Sequence, residues 1–387
     1  MKRTAFLIAG LLSLFFCPFV VQAASDGPSV SEQLAHLDVS DIRRYWETIV
    51  HEYGGFLPES EKGPLSDFLS GDRQWSPVEW LKALARYLFY ELQVNGKLLG
   101  TLILLAVFST VLQSLQNAFA QQEVSKIAHA VVYMVLLLIA LNSFRLATGY
   151  ALEAVRTMSH FIIALVPLLL ALLASSGGVV SAAFFHPIIL FLMNTTGVVV
   201  EYVTLPLLLL AALLSVVSTL SDRYKATQLA DLLNKAALGL LGLILTVFLG
   251  VMSVRGATAA VADGVALRAA KFVTGNFIPV VGKLFTDAAD TVVAASMLLK
   301  NAVGLVGVAV LLMIAIFPAV KIFAIVIIYK LSAALLQPLG GSPVLSCLNI
   351  IGKSIAYVLA ALLIVSLMFF FSLTVMVMAG NITMMVR

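Results

Sequence analysis

The stretch RGATAAVADGVALRAAKFVTGNFIPVVGKLFTDAADTVVAASMLLKNAVG, residues 255–304, decides how the chain is read. Long apolar runs flank it, yet it carries Arg255, Asp263, Arg268, Lys271, Lys283, Asp287, Asp290 and Lys300. Pro279 biases Ile278 away from the helical region, so the pattern predicts two helical pieces joined at Asn276-Phe277-Ile278-Pro279. In the second piece Lys283 and Asp287 stand at i and i+4, with Asp290 three residues further, which puts all three on one helical face. The other faces are Ala, Val and Leu, and Ala288, Ala289, Ala294 and Ala295 leave room for close helix contact. Such a segment is too polar to face lipid and too apolar for a free loop. Three readings stay open: a pair of amphipathic helices on the membrane surface, a re-entrant hairpin lining a polar path, and an ordinary soluble loop.

Composition sets the class around that stretch. Hydrophobic residues make up 61% of the 387 and charged residues 11%, against roughly 25% charged in soluble domains. Mean hydropathy is +1.04. The expected fold is all-α: a polytopic membrane protein with about seven to eight transmembrane helices and a small helical extracytoplasmic N-terminal region. A net charge of +4 is small for this length and points to leaflet contacts rather than nucleic acid. Cys17 and Cys347 provide neither a disulfide framework nor a zinc site.

The N-terminus reads as a signal peptide over residues 1–23, with Lys2 and Arg3 before an apolar core and Val21-Gln22-Ala23 as the cleavage site. An uncleaved first transmembrane helix is the alternative, and both place the following residues outside the cytoplasm. Residues 25–97 form the extracytoplasmic amphipathic region. Ser29 and Glu32 make a capping box. Asp41 to Tyr53 sets Ile42, Trp46, Ile49 and Tyr53 on one side, and Gly54-Gly55 stops it. Ser76 as N-cap, Pro77 at N1 and Glu79 at N3 start a further helix. Trp75 and Trp80 anchor that helix at the interface.

Apolar runs follow near 98–119, 127–147, 161–176, 180–200, 203–220, 236–254, 302–321 and 354–379. They divide into a first membrane helix group, 98–254, the polar pair, 255–301, and a C-terminal group, 302–387. About 20 residues are needed to cross the hydrocarbon layer. Residues 161–176 are short, Gly177-Gly178 breaks the run, and Pro167, Pro187 and Pro206 suggest half-helices. Eight spans from an exported N-terminus put Lys126, Arg223, Lys225, Lys235, Lys321, Lys330 and Lys353 inside, as the positive-inside rule asks. The same count puts Arg145, Arg156 and the basic residues of 255–304 outside, against it. Ala237-Leu-Gly-Leu-Leu-Gly-Leu resembles Ala302-Val-Gly-Leu-Val-Gly-Val, which marks Gly239, Gly242, Gly304 and Gly307 as candidate helix-packing glycines.

Signals for chemistry are sparse. Gly352-Lys353-Ser354 looks like the end of a phosphate loop, but the required first glycine is Cys347. His51-Glu52 lacks the second histidine of a metalloprotease helix, since that position is Gly55. Asp287 and Asp290 read as a salt-bridged stripe beside Lys283 rather than a catalytic pair. His129, His160 and His186 are isolated packing residues, and Glu201 an interface residue. No catalytic, cofactor-binding or metal site is expected.

The runs ALRAAKFVTGNFIPVVGKLFTDAADTV, LLKNAVGLVG and IFPAVKIFAIVIIYKLSAALLQPL resemble the stage III sporulation protein AE family of endospore-forming bacteria. ALVPLLLALLASSGGVVSAAFFHP and VTLPLLLLAALLSVV do so as well, and the resemblance covers roughly Leu98 to Leu345. It implies a multi-pass protein of the mother-cell membrane, made during engulfment. It implies partners: the other stage III A proteins and the forespore protein called stage II sporulation protein Q. Together these would form a transenvelope complex joining mother cell and forespore, needed for late forespore gene expression. The family carries no catalytic residues to transfer.

Two function classes therefore stand. A non-enzymatic channel or export-platform subunit would oligomerise and use Arg268, Lys271, Lys283, Asp287, Asp290 and Lys300 as a polar lining or partner-docking face. A stand-alone secondary transporter would bind solute at the broken helices near Gly177-Gly178 and Pro187. The scarcity of acidic residues other than Asp263, Asp287 and Asp290 in the apolar region argues against the second.

Overall fold

A computed structural model describes residues 40–58, 76–118, 122–220, 226–277, 281–339 and 343–385. The expected signal peptide, the Ser29–Glu32 capping box and Trp75 lie outside these. Within them every element is helical. Two short amphipathic helices, α1 (Ser40–Tyr53) and α2 (Pro77–Val94), precede α3 (Gly96–Ala118), α4 (Gln122–Ser175) and α5 (Val179–Val199). A π-helical turn, Val200–Thr204, leads into α6 (Leu205–Leu220), and α7 (Thr227–Phe277), α8 (Val281–Leu336) and α9 (Pro343–Met385) complete the chain.

The long helices make the bundle. α4 has 54 residues, α7 51, α8 56 and α9 43. At 1.5 Å per residue, α8 is roughly 80 Å long, more than twice a hydrocarbon core of about 30 Å. α4, α8 and α9 pack together as the centre, with Leu136, Phe161 and Leu165 of α4, Val303 and Ile322 of α8, and Ile355, Val358 and Phe369 of α9 all buried. Tyr329 of α8 donates a buried hydrogen bond to Ser143 of α4 at 2.9 Å. α7 lies against α9 and α6, and α5 against α4.

Five stretches are long and apolar enough to cross a membrane: Val131–Ser175, Val179–Thr219, Thr227–Val254, Asp290–Leu336 and Val344–Ala379. α2 and α3, bent by 51° at Asn95, add a sixth if taken as one crossing. The expected seven to eight came from dividing runs that are continuous. Arg145 and Arg156 look like the edges of two spans, but nothing between them breaks a helix, so 127–147 and 161–176 are one rod. Pro167, Pro187 and Pro318 lie inside helices rather than at their ends. A proline removes one backbone donor and kinks a helix, and in a packed apolar bundle the neighbours hold the rod together. Pro206 has a different solution. The π turn immediately before it opens the spacing where its missing N–H and its ring would strain a regular helix.

α1 follows its sequence pattern, burying Ile42, Trp46 and Ile49. α2 starts at Pro77 as expected, but the Ser76 side chain makes no capping bond; its backbone carbonyl accepts from Glu79 and Trp80. Trp80 is buried against the bundle.

Candidate functional site

Residues 255–304 become the adjoining ends of α7 and α8, which stop at Phe277 and resume at Val281. On α7, Arg268 is exposed and Asp263 is buried. On α8, Asp290 is partly exposed and Lys300 is buried at 1% relative exposure. None of Arg268, Asp290 and Lys300 stands free. Lys271, Lys283 and Asp287 belong to the same two helix ends, and their side chains lie outside the described residues. The four glycines divide. A Cβ at Gly304 would collide with Val377 of α9, and one at Gly307 would come within 2.5 Å of Leu165 of α4. Gly239 and Gly242 have nothing within 4 Å of a built Cβ, so close packing there has no partner among the described residues.

The joint beneath this polar end is built by Asp263. α4 ends in a Schellman motif: Gly178 N–H reaches Leu173 O at 2.9 Å and Gly177 N–H reaches Ala174 O at 3.0 Å. Gly177 takes φ +89°, where a side chain is strained. Gly178 is pressed on Leu173, whose Cδ1 would lie 2.7 Å from an added Cβ. α5 then begins at Val179 with no capping side chain of its own. Asp263 supplies the cap from α7, accepting Val180 N–H at 2.7 Å and Ser181 N–H at 3.1 Å. A carboxylate is favoured at a helix N-terminus by both the free donors and the helix dipole. The one clue in the sequence was a helix start after Gly-Gly with no Ser, Thr, Asp or Asn to cap it; the partner 83 residues away left no local pattern.

A second polar zone crosses the bundle part-way along its apolar stretches Val131–Ser175, Val179–Thr219 and Asp290–Leu336. Arg156 of α4 donates to Glu201 of the π turn at 2.5 Å, with 55% and 30% of their side chains exposed. Lys321 of α8 donates to Glu52 and to the Tyr53 hydroxyl of α1, each at 3.3 Å, and lies over the Tyr53 and Tyr150 rings. Tyr53 stacks on Phe317 at 4.0 Å. Burial, helped by the hydrogen bond to Glu52, pushes the Tyr53 hydroxyl well above its ordinary value and keeps it neutral. Lys353 of α9 pairs with Asp231 of α7 at 3.3 Å. These pairings tie sequence-distant helices together, and none was anticipated. Glu201 was expected only at an interface.

The described residues hold no cluster of three metal-ligating side chains. A cavity of about 20 Å³ between α4, α6 and α9, lined by Leu137, Phe144, Val216 and Ile351 among others, has room for about one water and no charged wall.

A family profile described as stage III sporulation protein AE matches residues 61–380. The chain is 58% identical to stage III sporulation protein AE of Bacillus subtilis (strain 168) over 386 residues, covering 98% of this chain and 97% of that protein. No solved structure matches. The sequence blocks around the polar helix ends, the apolar bundle on which they sit and a match running nearly end to end agree: the chain belongs to the stage III sporulation protein AE family.

Proposed function

We propose that this protein is a non-enzymatic, multi-pass subunit of a transenvelope channel or secretion-like complex of spore formation. It sits in the mother-cell membrane, works with the other stage III A proteins and the forespore stage II sporulation protein Q, and is required for late forespore gene expression. The nearly end-to-end similarity to the Bacillus subtilis protein carries this reading. The polar ends of α7 and α8 supply its mechanism: Arg268, Lys271, Lys283, Asp287, Asp290 and Lys300 line a polar path or dock a partner. Each would cost roughly 2.5–3.5 kcal/mol facing lipid at the bilayer centre, so they face protein or water. Asp287→Leu and Lys283→Leu test it: spores should be blocked while the protein still accumulates in the membrane. Normal sporulation of both variants would remove the role.

A stand-alone secondary transporter is the second reading, favoured by a buried carboxylate at the broken helix of Gly177-Gly178. Two backbone donors already occupy that carboxylate. Mass measurement of the protein in detergent separates the two: a strict monomer with saturable solute binding supports transport, and an oligomer without it supports the complex.

A further inference from the structure

α1 lies lengthwise on the bundle. Tyr45, near its start, meets Phe161 of α4 edge-on, and Tyr53, at its end, stacks on Phe317 of α8. Its outward residues are polar: Asp41, Arg43, Arg44, Glu47, Thr48 and His51 are exposed. The flank formed by α5, α6 and α7, which pack on α4, α9 and one another, differs at the same height. The Arg156–Glu201 pair marks that height on it, and Val198 and Tyr202 beside Glu201 are exposed. Exposed Phe191, about 15 Å further up α5, comes level with the first turn of α1. Gly256 of α7 lies against Phe185, so exposed Val247, about 14 Å back along α7, falls in the same range.

Sliding a hydrocarbon layer of about 30 Å along the bundle does not free α1 from it. Tyr329 bonds Ser143 and Gly352 lies against Tyr329, so Arg145, Lys330 and Lys353 share a level, and all three are exposed. That level is about 16 Å from Arg156. A layer lying wholly on that side of α1 has these cations near its middle, where charge is most costly. In the other direction α4 offers about 21 Å between Phe161 and Ser175, and the first turn of α1 takes part of it. Lipid therefore meets the α5–α7 flank at the height of α1, while the charges of α1 at that height require water.

Water at that height needs a wall, and one chain supplies only its own flank. Apolar residues exposed past the Arg145 level lie outside a layer at the height of α1: Val131 and Met134 of α4, Val217 of α6 and Leu335 of α8. Tyr133 donates to Val216 O at 3.3 Å, so the α4 and α6 residues lie abreast. Lipid at the height of α1 leaves these patches bare, and a neighbouring copy covers them. Two different patches of one chain make a head-to-tail contact, the kind that closes into a ring.

We propose that several copies of this chain form such a ring, with α1 facing a central aqueous lumen and the α5–α7 flank facing lipid at the same height. The α4 and α6 patches join neighbouring copies. Asp41 and Glu47 alternate with Arg43 and Arg44 on the lumen face, which suits water-soluble cargo without strong selection by sign of charge. The lumen rests on the subunit reading given above and adds α1 to the polar ends of α7 and α8 as lining.

Single cysteines in the full-length protein, with buried Cys347 retained, test it in membrane fragments open on both sides. A small cationic methanethiosulfonate should modify Thr48→Cys, and a bulky polyethylene-glycol maleimide should do so only after SDS. Phe191→Cys should react with neither before SDS, and a fluorophore there should be quenched by lipid carrying a mid-acyl quencher. Copies with Met134→Cys should form disulfides with differently tagged copies carrying Val217→Cys. Polymer-bounded native discs should hold several copies each. Reaction of Thr48→Cys with the bulky maleimide as fast in fragments as after SDS would show α1 in open water and overturn the lumen. Protection of Thr48→Cys from both reagents would show α1 covered by protein and overturn it equally. Discs of several copies without the 134–217 disulfide overturn the assigned contact. A single copy per disc overturns the lumen and the subunit reading together, whereas several copies with α1 in open water overturn the lumen alone.

Discussion

Gly177 and Asp263 do the most for the polar end with the fewest atoms. Gly177 sits at φ +89°, a region costing an L-residue roughly 1–2 kcal/mol, so Gly177→Ala should lower thermal stability in detergent by about that amount. Gly178→Ala should cost more, because its new methyl strikes Leu173 and the backbone carbonyl of the same residue lies only 3.0 Å away. Asp263→Ala leaves two N–H groups of α5 without their acceptor, at about 1–3 kcal/mol for each that stays buried. Asp263→Asn keeps one acceptor oxygen and should lose clearly less. Thermal unfolding of the purified variants checks the order; equal stability of Asp263→Ala and the parent protein would show that the trans cap contributes nothing. The Gly177-Gly178 break was readable because glycine pairs punctuate an apolar run with few alternatives. Its capping partner was not, because a bond between positions 83 residues apart leaves no periodicity.

At the scale of elements, α1 was legible and its destination was not. Apolar residues at helical spacing in Asp41–Tyr53 identify the buried face, but nothing local says that Trp46 packs on a membrane bundle or that Glu52 finds Lys321, 269 residues on. Trp46 is 1% exposed, and large-to-small changes of buried aromatics cost about 3–5 kcal/mol. Trp46→Ala should undock α1, making the segment around residues 40–58 a site of rapid cleavage in limited proteolysis while α4–α9 stay intact. Unchanged cleavage kinetics would mean α1 is held by other contacts. Arg156 and Glu201 illustrate the reverse error. Their charges suggested the ends of spans, yet they pair across two continuous rods. Arg156→Glu alone sets two carboxylates together and should destabilise; Arg156→Glu with Glu201→Arg should recover part of the loss. Failure of the double variant to recover, with both single variants folded, would show that the two sites act separately.

For the whole molecule, the class was legible from hydropathy alone, while the order of packing was not, since every apolar helix carries the same signal. The centre is made by one helix from the first half of the chain, α4, and two from the second, α8 and α9. Neither half contains a complete core. Leu136, Phe161 and Leu165 of α4 are buried partly by helices that lie beyond residue 226, and α9 contacts α4, α6 and α7 alike. Helices already inserted in a bilayer associate through packing and polar contacts rather than hydrophobic transfer, so the connection between α6 and α7 is not needed to bring them together. A chain cut between residues 221 and 226 and expressed as two pieces should therefore reassemble in the membrane, with a tag on residues 226–387 retrieving residues 1–221 after detergent extraction. Gly304→Leu in the second piece drives a side chain into Val377 and pries α8 from α9, which should reduce that recovery. Conversely, Gly239→Leu, whose Cβ meets nothing within 4 Å among the described residues, should leave it intact. If both pieces insert but never co-purify, the α4–α8–α9 centre is not the contact that holds the two halves together.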